Sequence, residues 1–539
     1  MATIAGDAPY EERSLFVRKA TGLVRGWSVH DAFIYATFSI NLITLGLYIF
    51  SFGPFIPKAS LLLAIILSGA YLIFQTIVYA ALIAVMPRAG GDYVWVSRVI
   101  GGGLGFVLAV CGWWFINWHW VPIYANILVK EFFQPLAAVV GWNRGVSFWG
   151  EPKGIFTASV ITAVLAAAFI SIGMRGYAKL QKICFYGGVL GLLIVFGLLV
   201  FHSKSAFIAA FNHHAVSTYH ATTPDAYAQT LKKGGYPGSG SLGGLAFGST
   251  VLLIPMIAFF NLWSNWGATL YGEVRGASDF RKNIMAMAGA LVVTSIGAVI
   301  LLLLMAHTMG WDFYNAANNA FWSGTDSMGG VWPYPVTLAT FFVSPWLQFI
   351  VIVLMSLWFF GWVGTVFLTA SRVIFATAFD RILPEWAARV NKRGVPYYAI
   401  LIMLLPSLVI SYFYAYNSTF TSWTLDATLV IAVTFCGSTV AAAILPWRKP
   451  DIYNASPIAK YKVAGIPLIT AAAVLFLAFL GFCIYYWLKD AVYGSNNKGS
   501  LIYMGCLYGV ALGIYVVSRI VRKRQGMDLG MVYNEIPAE

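Results

Sequence analysis

The amino-acid sequence predicts an all-α membrane protein with about twelve membrane-spanning helices. Of the 539 residues, 60% are hydrophobic and only 10% are charged, whereas soluble domains carry roughly 25% charged residues. The apolar residues fall into twelve runs of roughly the 20-residue length that crosses a bilayer as a helix. Lys and Arg are spread unevenly over the loops between those runs, as is typical of multi-span proteins. The lipid bilayer is therefore the predicted environment.

The apolar runs define the order of the predicted spans. In chain order they lie near 31–53, 59–85, 102–134, 154–173, 180–201, 244–271, 284–309, 345–379, 397–414, 424–445, 465–488 and 500–518. We divide the chain into an N-terminal segment, spans 1–5, an outer loop, spans 6–10, spans 11 and 12, and a C-terminal tail, at residues 1–30, 31–201, 202–243, 244–445, 446–518 and 519–539.

The basic residues predict the orientation. With the N-terminus inside, 25 of the 34 Lys and Arg residues fall on the inner side. The positive-inside rule then predicts a protein of the cell membrane with both termini in the cytoplasm. The N-terminal segment has no apolar signal region, so we expect span 1 to direct insertion. The basic residues are scattered singly, which argues against a nucleic-acid partner. The sequence gives no signal for an oligomeric state.

Two outer loops are long. Residues 203–243 are polar and Gly-rich and predict a mobile loop, whereas residues 310–344 are rich in aromatics and predict short helices on the outer mouth.

Polar residues interrupt two of the spans. Span 1 carries Ser39, Asn41, Thr44 and Gly46 near its centre, and span 6 carries Asn261, Ser264, Asn265 and Gly267. These spans open two blocks of five, and an odd number of spans per block makes the second block insert upside down. Matching interruptions in two inverted halves indicate a transporter binding site, because an unwound helix offers free N–H groups to a carboxylate and free carbonyls to an ammonium group. The alternative is that small polar residues only hold helices together.

Four segments resemble the amino acid–polyamine–organocation (APC) superfamily of permeases. They are MPRAGGDYVWVSR (86–98), GEVRGASDFRKNI (272–284), SRVIFATAFDRILPEWAARVNKRGVPYYAI (371–400) and LPWRKPDIYNASPIAKYKVAGIPLIT (445–470). Ala277 stands where the superfamily usually has proline, and Phe379-Asp380-Arg381 replaces the usual Arg-Asp-Gly.

The resemblance implies a leucine-transporter-type fold with a five-plus-five inverted repeat, broken helices 1 and 6, two further C-terminal helices, and secondary active transport of an amino acid or related amine by alternating access. Carried over by position, it implies a carboxylate site at Ser39, Ile40, Asn41 and Leu42 and an amino-group site at Phe260, Asn261, Leu262 and Trp263. Thr44 and Asn265, within the two interruptions, complete the candidate substrate-binding set. Trp263 stands where small residues are common, which leaves a smaller or more hydrophobic amine, a polyamine or a nucleobase as alternatives.

The coupling ion and the inner gate are also candidate functions. Thr365 and Thr369 in span 8 are positioned to join span-1 carbonyls around Na⁺, a cation that prefers oxygen ligands, or they simply bond to their own helix. The sequence leaves Na⁺, H⁺ and exchange open. Glu273 is a candidate inner latch to Arg98 or to Arg372, and the alternative is a solvated loop charge.

Enzymatic function finds no support in the motifs. The sequence contains no HExxH, G-x-S-x-G or P-loop, so we expect no catalysis, no cofactor and no metal. A membrane redox-enzyme subunit, the alternative from another class, would need several histidine ligands within spans, and His119 is the one candidate. Asn417 begins an Asn-Ser-Thr sequon, a weak glycosylation signal.

Overall fold

The computed structural model describes residue 23, residues 25–236, 246–424 and 427–534. In this part of the chain, twelve helices are long and apolar enough to cross a membrane, which confirms the predicted number and order of spans. Most bounds lie within one helical turn of the predicted ones. The spans are Val29–Phe50, Leu61–Val85, Gly102–Val139, Pro152–Ser171, Met174–Phe201, Phe247–Glu273, Phe280–Thr308, Pro345–Phe379, Tyr397–Tyr416, Ala427–Arg448, Leu468–Lys489 and Lys498–Arg524.

Several spans are interrupted. Span 2 consists of Leu61–Tyr71 and Ile73–Val85, and span 8 of Pro345–Val363 and Thr365–Phe379. Span 3 contains two wider π-type turns at Val110–Phe115 and Val129–Phe133. The interruptions of spans 1 and 6, described below, are the most severe because the backbone leaves the α-helical geometry altogether.

The spans differ in how far neighbouring helices bury them. Span 1 is buried along almost its whole length, whereas span 5 exposes Ile183, Leu193 and Phe201, and span 12 is mostly exposed. Large apolar side chains exposed in this way suit lipid contact in a spanning protein. Span 1 therefore lies in the interior, and spans 5 and 12 lie at the periphery.

The packing contacts come in pairs that are related by a shift of five in the span number. If spans 1–5 are renumbered as 6–10 and spans 6–10 as 1–5, each of the following contacts becomes another contact of the same list. Span 1 packs on span 7 and span 6 packs on span 2, while span 5 packs on span 8 and span 10 packs on span 3. Spans 3 and 4 pack together, as do spans 8 and 9. An internal two-fold relation between spans 1–5 and 6–10 requires this exchange. The inverted repeat itself stays a prediction.

Short helices cover the side that the basic residues predict to be outer, which is called the outer side below, and the opposite side is called the inner side. The expectation of a mobile loop at 203–243 is wrong for its described part, which forms Lys204–Ser217 and Ala226–Gly234. Ser203 and Asp225 cap these helices, and Phe207 and Phe211 pack on Phe313 of the other loop, so buried aromatics order a stretch that looks merely polar. Residues 237–245 of that loop lie outside the described part. The expected short helices of the second loop are confirmed as Trp311–Trp322 and Pro335–Ala339.

The inner side carries smaller elements. A helix, Asp92–Val99, joins spans 2 and 3, and a hairpin of two short strands, Lys462–Val463 and Ile466–Pro467, precedes span 11. Further helices on the two sides are Asn143–Gly150, Ser418–Thr424, Pro450–Asn454 and Leu529–Val532, with short 3₁₀ turns at Gly53–Phe55, Thr340–Phe342, Glu385–Ala388 and Ala491–Tyr493.

Candidate functional site

Span 1 breaks at Asn41. Its α-helix ends at Ile40, Asn41 adopts the left-handed conformation with φ 46°, and Leu42–Gly46 continue as a wider π-type turn. Asn is among the few residues other than glycine that visit this region routinely, because its short side chain bonds locally. Here the Asn41 Oδ1 accepts from the Thr44 N–H at 3.1 Å, and Nδ2 donates to the Trp358 carbonyl of span 8 at 3.2 Å. The amide therefore holds the break open and ties it to span 8.

Span 6 breaks directly after Asn261. Its α-helix runs from Phe247 to Asn261, turns through residues 262–265, and resumes as a 3₁₀-helix over Trp266–Glu273. The Leu262 carbonyl accepts from the Gln75 side chain of span 2 at 2.8 Å. A carbonyl taken out of the helical ladder is the kind of acceptor that an ammonium group requires.

The two broken spans touch on both sides of their breaks. A Cβ added to Gly46 would lie 2.9 Å from the Phe260 ring, and one added to Gly267 would lie 3.2 Å from the Tyr35 ring. The two glycines allow this close approach, and since each break is flanked by a contact with the other span, the two breaks lie at the same level. All ten candidate substrate residues are buried here: Ser39, Ile40, Asn41, Leu42, Thr44, Phe260, Asn261, Leu262, Trp263 and Asn265.

Span 2 supplies polar partners that the sequence reasoning missed. Ser68 donates to the Asn261 Oδ1 at 3.0 Å, and Gln75 donates to the Asn265 Oδ1 at 3.1 Å and accepts from Ser264 at 3.2 Å. Among the described residues, Nδ2 of Asn261 has no hydrogen-bond partner, whereas the Asn265 amide lies beside the Tyr79 hydroxyl. A buried unpaired donor is costly, and a polar solute would satisfy it.

A cluster of indole rings, called the indole floor below, lies beside a cavity that one of its members, Trp120, lines. Trp120 lies 5.0 Å from Trp263 and 5.8 Å from Trp266, centroid to centroid, and Trp113 lies 4.6 Å from Trp266. The cavity has a volume of about 280 Å³ and largely apolar walls from spans 1, 3, 6 and 10 that include Leu45, Tyr48, Trp120, Ile123, Met256 and Phe259. Trp120 thus connects the indole cluster with this cavity.

The two span-8 threonines differ in their surroundings. Thr369 donates to the Thr365 carbonyl at 3.1 Å, so it bonds to its own helix. The Thr365 hydroxyl lies 3.5 Å from the Tyr124 hydroxyl, and its carbonyl accepts from the Trp266 indole at 3.3 Å. Span 1 meets span 8 a turn higher, where a Cβ on Gly361 would lie 2.2 Å from Phe38. The role of these threonines in ion coupling stays a prediction.

Two buried ion pairs lie on the predicted inner side. Arg372 donates to both Glu273 oxygens, from Nε at 2.7 Å and from Nη2 at 3.2 Å, and both side chains are at most 2% exposed. Arg98 pairs at 2.6 Å with Asp380, which also accepts from the Tyr93 hydroxyl at 2.6 Å. Of the two alternatives for Glu273, the structure places Arg372 beside it.

Arg98 belongs to a second pair that the sequence reasoning did not identify. The replacement of the usual Arg-Asp-Gly by Phe379-Asp380-Arg381 drew attention to this stretch, but not to its partner. The Tyr533 ring covers the Arg98 guanidinium at 5.6 Å, so the C-terminal segment also rests on this pair.

Glu131 of span 3 is a further residue that was missed. It is 8% exposed, its Oε1 has no partner among the described residues, and its carboxyl lies beside the Thr44 hydroxyl. Ionisable groups at membrane depth are functional candidates by default. This carboxyl therefore lies next to the outer half of the span-1 break.

Comparisons with known proteins identify the family of the chain. The chain matches the profile of a family described as amino acid permease over residues 32–512. The chain belongs to the amino acid permease family. This permease is also similar to the branched-chain amino acid permease BcaP of Lactococcus lactis subsp. cremoris (strain MG1363), with 22% identity over 472 residues that cover 86% of this chain and 87% of the relative.

The family membership identifies this permease as an amino acid transporter. Two broken spans that touch would provide backbone groups for the amino group and the carboxylate of such a solute. Which of the ten candidate residues contact the substrate stays a prediction.

Proposed function

We propose that this permease is a secondary active transporter that moves amino acids with apolar side chains across the cell membrane by alternating access, with both termini in the cytoplasm. The observation that carries the proposal is the pair of facing breaks at Asn41 and Leu262. In the proposed binding mode, N–H groups after Asn41 take the carboxylate, and carbonyls near Leu262 take the amino group.

The indole floor supports an apolar side chain as the substrate's third group. Trp120, Trp263 and Trp266 offer a large apolar surface and few hydrogen-bonding groups. The transfer of a methyl-rich side chain from water to such a surface is favourable in free energy. The name of the relative BcaP points in the same direction. Valine, leucine and isoleucine are accordingly the first substrates to test.

Alternating access is supported by the difference between the two sides. The predicted outer side holds an open cavity lined by Trp120, whereas the buried Glu273–Arg372 and Arg98–Asp380 pairs lie on the predicted inner side and would close it. Breaking these pairs while closing the outer cavity would expose the same site to the cytoplasm. The exchange of packing partners between the two blocks of five spans supports a rocking motion of this kind.

Glu131 favours a second candidate substrate class, amines that carry an additional positive charge. Its carboxyl, which lies beside Thr44 and has one oxygen, Oε1, without a partner among the described residues, would neutralise a second ammonium group, such as that of a diamine or of lysine. The same carboxyl would instead bind a proton if the substrate is apolar.

The test is counterflow in proteoliposomes that contain the purified full chain. Labelled isoleucine is exchanged against unlabelled valine, lysine, putrescine or adenine, with protein-free liposomes and the Trp346→Leu variant as controls. Trp346 is 69% exposed and lies far along the chain from both breaks. Exchange by branched-chain amino acids alone supports the proposal, and exchange by putrescine or adenine without them refutes it.

Ion coupling is tested in the same vesicles by imposing a Na⁺ gradient and a H⁺ gradient in turn. Thr365, Thr369 and Glu131 are the groups proposed to respond. Uptake that is equal with and without each gradient rejects both couplings and indicates exchange.

A further inference from the structure

The loop between spans 2 and 3 is fitted directly against spans 6 and 8. The Gly90 N–H donates to the Thr269 carbonyl at 2.9 Å. A Cβ on Gly91 would lie 3.0 Å from the Ala268 carbonyl group, and one on Gly90 would lie 2.6 Å from the Ala376 Cβ. Both glycines also have positive φ. The two glycines thus place the next residue, Asp92, against the lower half of span 6.

Asp92 is a buried carboxyl that substrate binding does not explain. It is 1% exposed, and its Oδ1 accepts from the Tyr79 hydroxyl of span 2 at 2.7 Å and from the Ser438 hydroxyl of span 10 at 2.5 Å. Its Oδ2 has no hydrogen-bond partner among the described residues. Burial raises the pKa of the Asp92 carboxyl to about 6, although the hydrogen bonds from Ser438 and Tyr79 act to lower it.

A chain of polar side chains connects Asp92 with the break of span 6. The Tyr79 hydroxyl, bonded to Asp92, also lies beside the Asn265 amide. Asn265 accepts from Gln75, and Gln75 donates to the Leu262 carbonyl. A displacement of the lower half of span 6 would therefore disturb the partners of Asp92, and the reverse also holds.

We propose that Asp92 is a positioning residue of the transport cycle: it holds the lower half of span 6 against spans 2 and 10 while the inner side is closed, and its protonation favours that closed state. The proposal rests on the proposed function in that it assumes an inner side that opens. It assigns Asp92 no contact with the substrate.

The direction of the pH effect follows from linkage. In the closed state burial holds the carboxyl pKa near 6, and in an opened, hydrated state it would return toward its ordinary value of 3.8. A group whose pKa is raised in one state stabilises that state at low pH, and the benefit is lost as the pH rises through the raised value. Acid therefore favours closure, and a difference of about two pH units allows up to about a 100-fold change in the open-to-closed ratio.

The described side chains that surround the Asp92 carboxyl are not expected to change charge near pH 6, so the pH response is assigned to Asp92. Tyr79 faces it from span 2, Ser438 from span 10 and the Trp113 indole from span 3, and none of these changes charge between pH 4 and 8. The charged groups at the nearby inner ends of spans 6 and 8 and of the Asp92–Val99 helix are already in the buried Glu273–Arg372 and Arg98–Asp380 pairs.

The test measures access to the inner side without relying on transport. The five native cysteines are replaced by alanine in the full chain, and Thr269, which is fully buried beside the Gly90 contact, is changed to cysteine. Maleimide labelling is followed from pH 4.5 to 7.5 in detergent. Each rate is divided by the rate of the SDS-unfolded protein at the same pH, which removes the intrinsic reactivity of the thiol.

We expect the normalised labelling to rise with pH in the Asp92 background, by at least several-fold across pH 6, and to be flat in Asp92→Asn. Ser438→Ala removes a hydrogen bond to the charged form and should shift the midpoint to higher pH. This second variant keeps the test decisive if Asp92→Asn fails to fold. A pH dependence that persists in Asp92→Asn, or a midpoint unmoved in Ser438→Ala, overturns the proposal.

The labelling also separates this proposal from the proposed substrate class. If no branched-chain amino acid is exchanged but labelling still follows Asp92, the substrate assignment fails and the positioning role stands. If exchange occurs and labelling ignores Asp92, the reverse holds.

Discussion

Replacing Glu273 with glutamine is expected to destabilise the closed inner side, because it removes one member of a buried, doubly bonded ion pair. Arg372 donates to both carboxylate oxygens at 2.7 and 3.2 Å, and the two side chains are at most 2% exposed. Breaking such a pair leaves an uncompensated buried charge and costs about 3–5 kcal/mol. Glutamine keeps one acceptor oxygen, so we expect a loss at the lower end, about 3 kcal/mol.

The same loss should appear as opening of the inner side. Each loss of about 1.4 kcal/mol in the stability of the closed state raises the open-to-closed ratio about tenfold. The thiol of Thr269→Cys should therefore label at least about tenfold faster in Glu273→Gln, and the thermal unfolding midpoint in detergent should fall.

A matched control lies in the loop after span 8. Arg381 and Glu385 are 3.8 Å apart and 27% and 67% exposed, and pairs in water contribute little. Glu385→Gln should change the free energy of unfolding by no more than about 0.5 kcal/mol and leave labelling unchanged. The double variant Glu273→Met with Arg372→Met should recover much of the lost stability, because it removes both charges. If Glu273→Gln and Glu385→Gln behave alike in both measurements, the reasoning is refuted.

Three further substitutions test the candidate site. Asn41→Ala removes two buried side-chain hydrogen bonds worth about 1 kcal/mol each and strains a left-handed residue. Isoleucine binding, measured by the ligand-induced rise in melting temperature, should therefore weaken about tenfold or more. Unchanged binding would contradict the assigned role. Trp263→Leu should leave more space at the indole floor and shift the counterflow preference from valine toward phenylalanine. It should also lower the free energy of unfolding by about 2–4 kcal/mol. The exposed Trp346→Leu should change neither the substrate preference nor the stability. Glu131→Gln should abolish proton-driven accumulation and leave counterflow intact, and accumulation that still follows the pH gradient would exclude this carboxyl as the proton site.

The fold was predictable from the sequence because membrane depth imposes a strong rule. Every backbone group in lipid has to be paired within its own helix, so apolar length alone located the spans, and polar residues at mid-span located the breaks near Asn41 and Asn261. The helices at Lys204–Ser217 and Ala226–Gly234 were not predicted, since they are ordered by aromatic contacts with the 310–344 loop that local sequence does not reveal.

The partners within the site were less predictable, because they join distant parts of the chain. Gln75 bonds to Leu262 across 187 positions, and Arg98 to Asp380 across 282, so only packing brings them together. Glu131 was overlooked for a local reason: span 3 was predicted to end at 134, which puts Glu131 at the membrane edge, whereas the helix continues to Val139. An acid near a predicted span end therefore needs the same attention as one at mid-span.

The indole floor also gives the molecule an optical signature. Trp113 and Trp266 lie 4.6 Å apart, and Trp120 and Trp263 lie 5.0 Å apart. The excited states of indoles this close are coupled (exciton coupling). The cluster should therefore produce a pair of bands of opposite sign in the circular dichroism spectrum, which isolated tryptophans at the lipid face lack. A solute that slides between the rings would change the shape of that band, which allows occupancy to be followed in unlabelled protein without any attached dye.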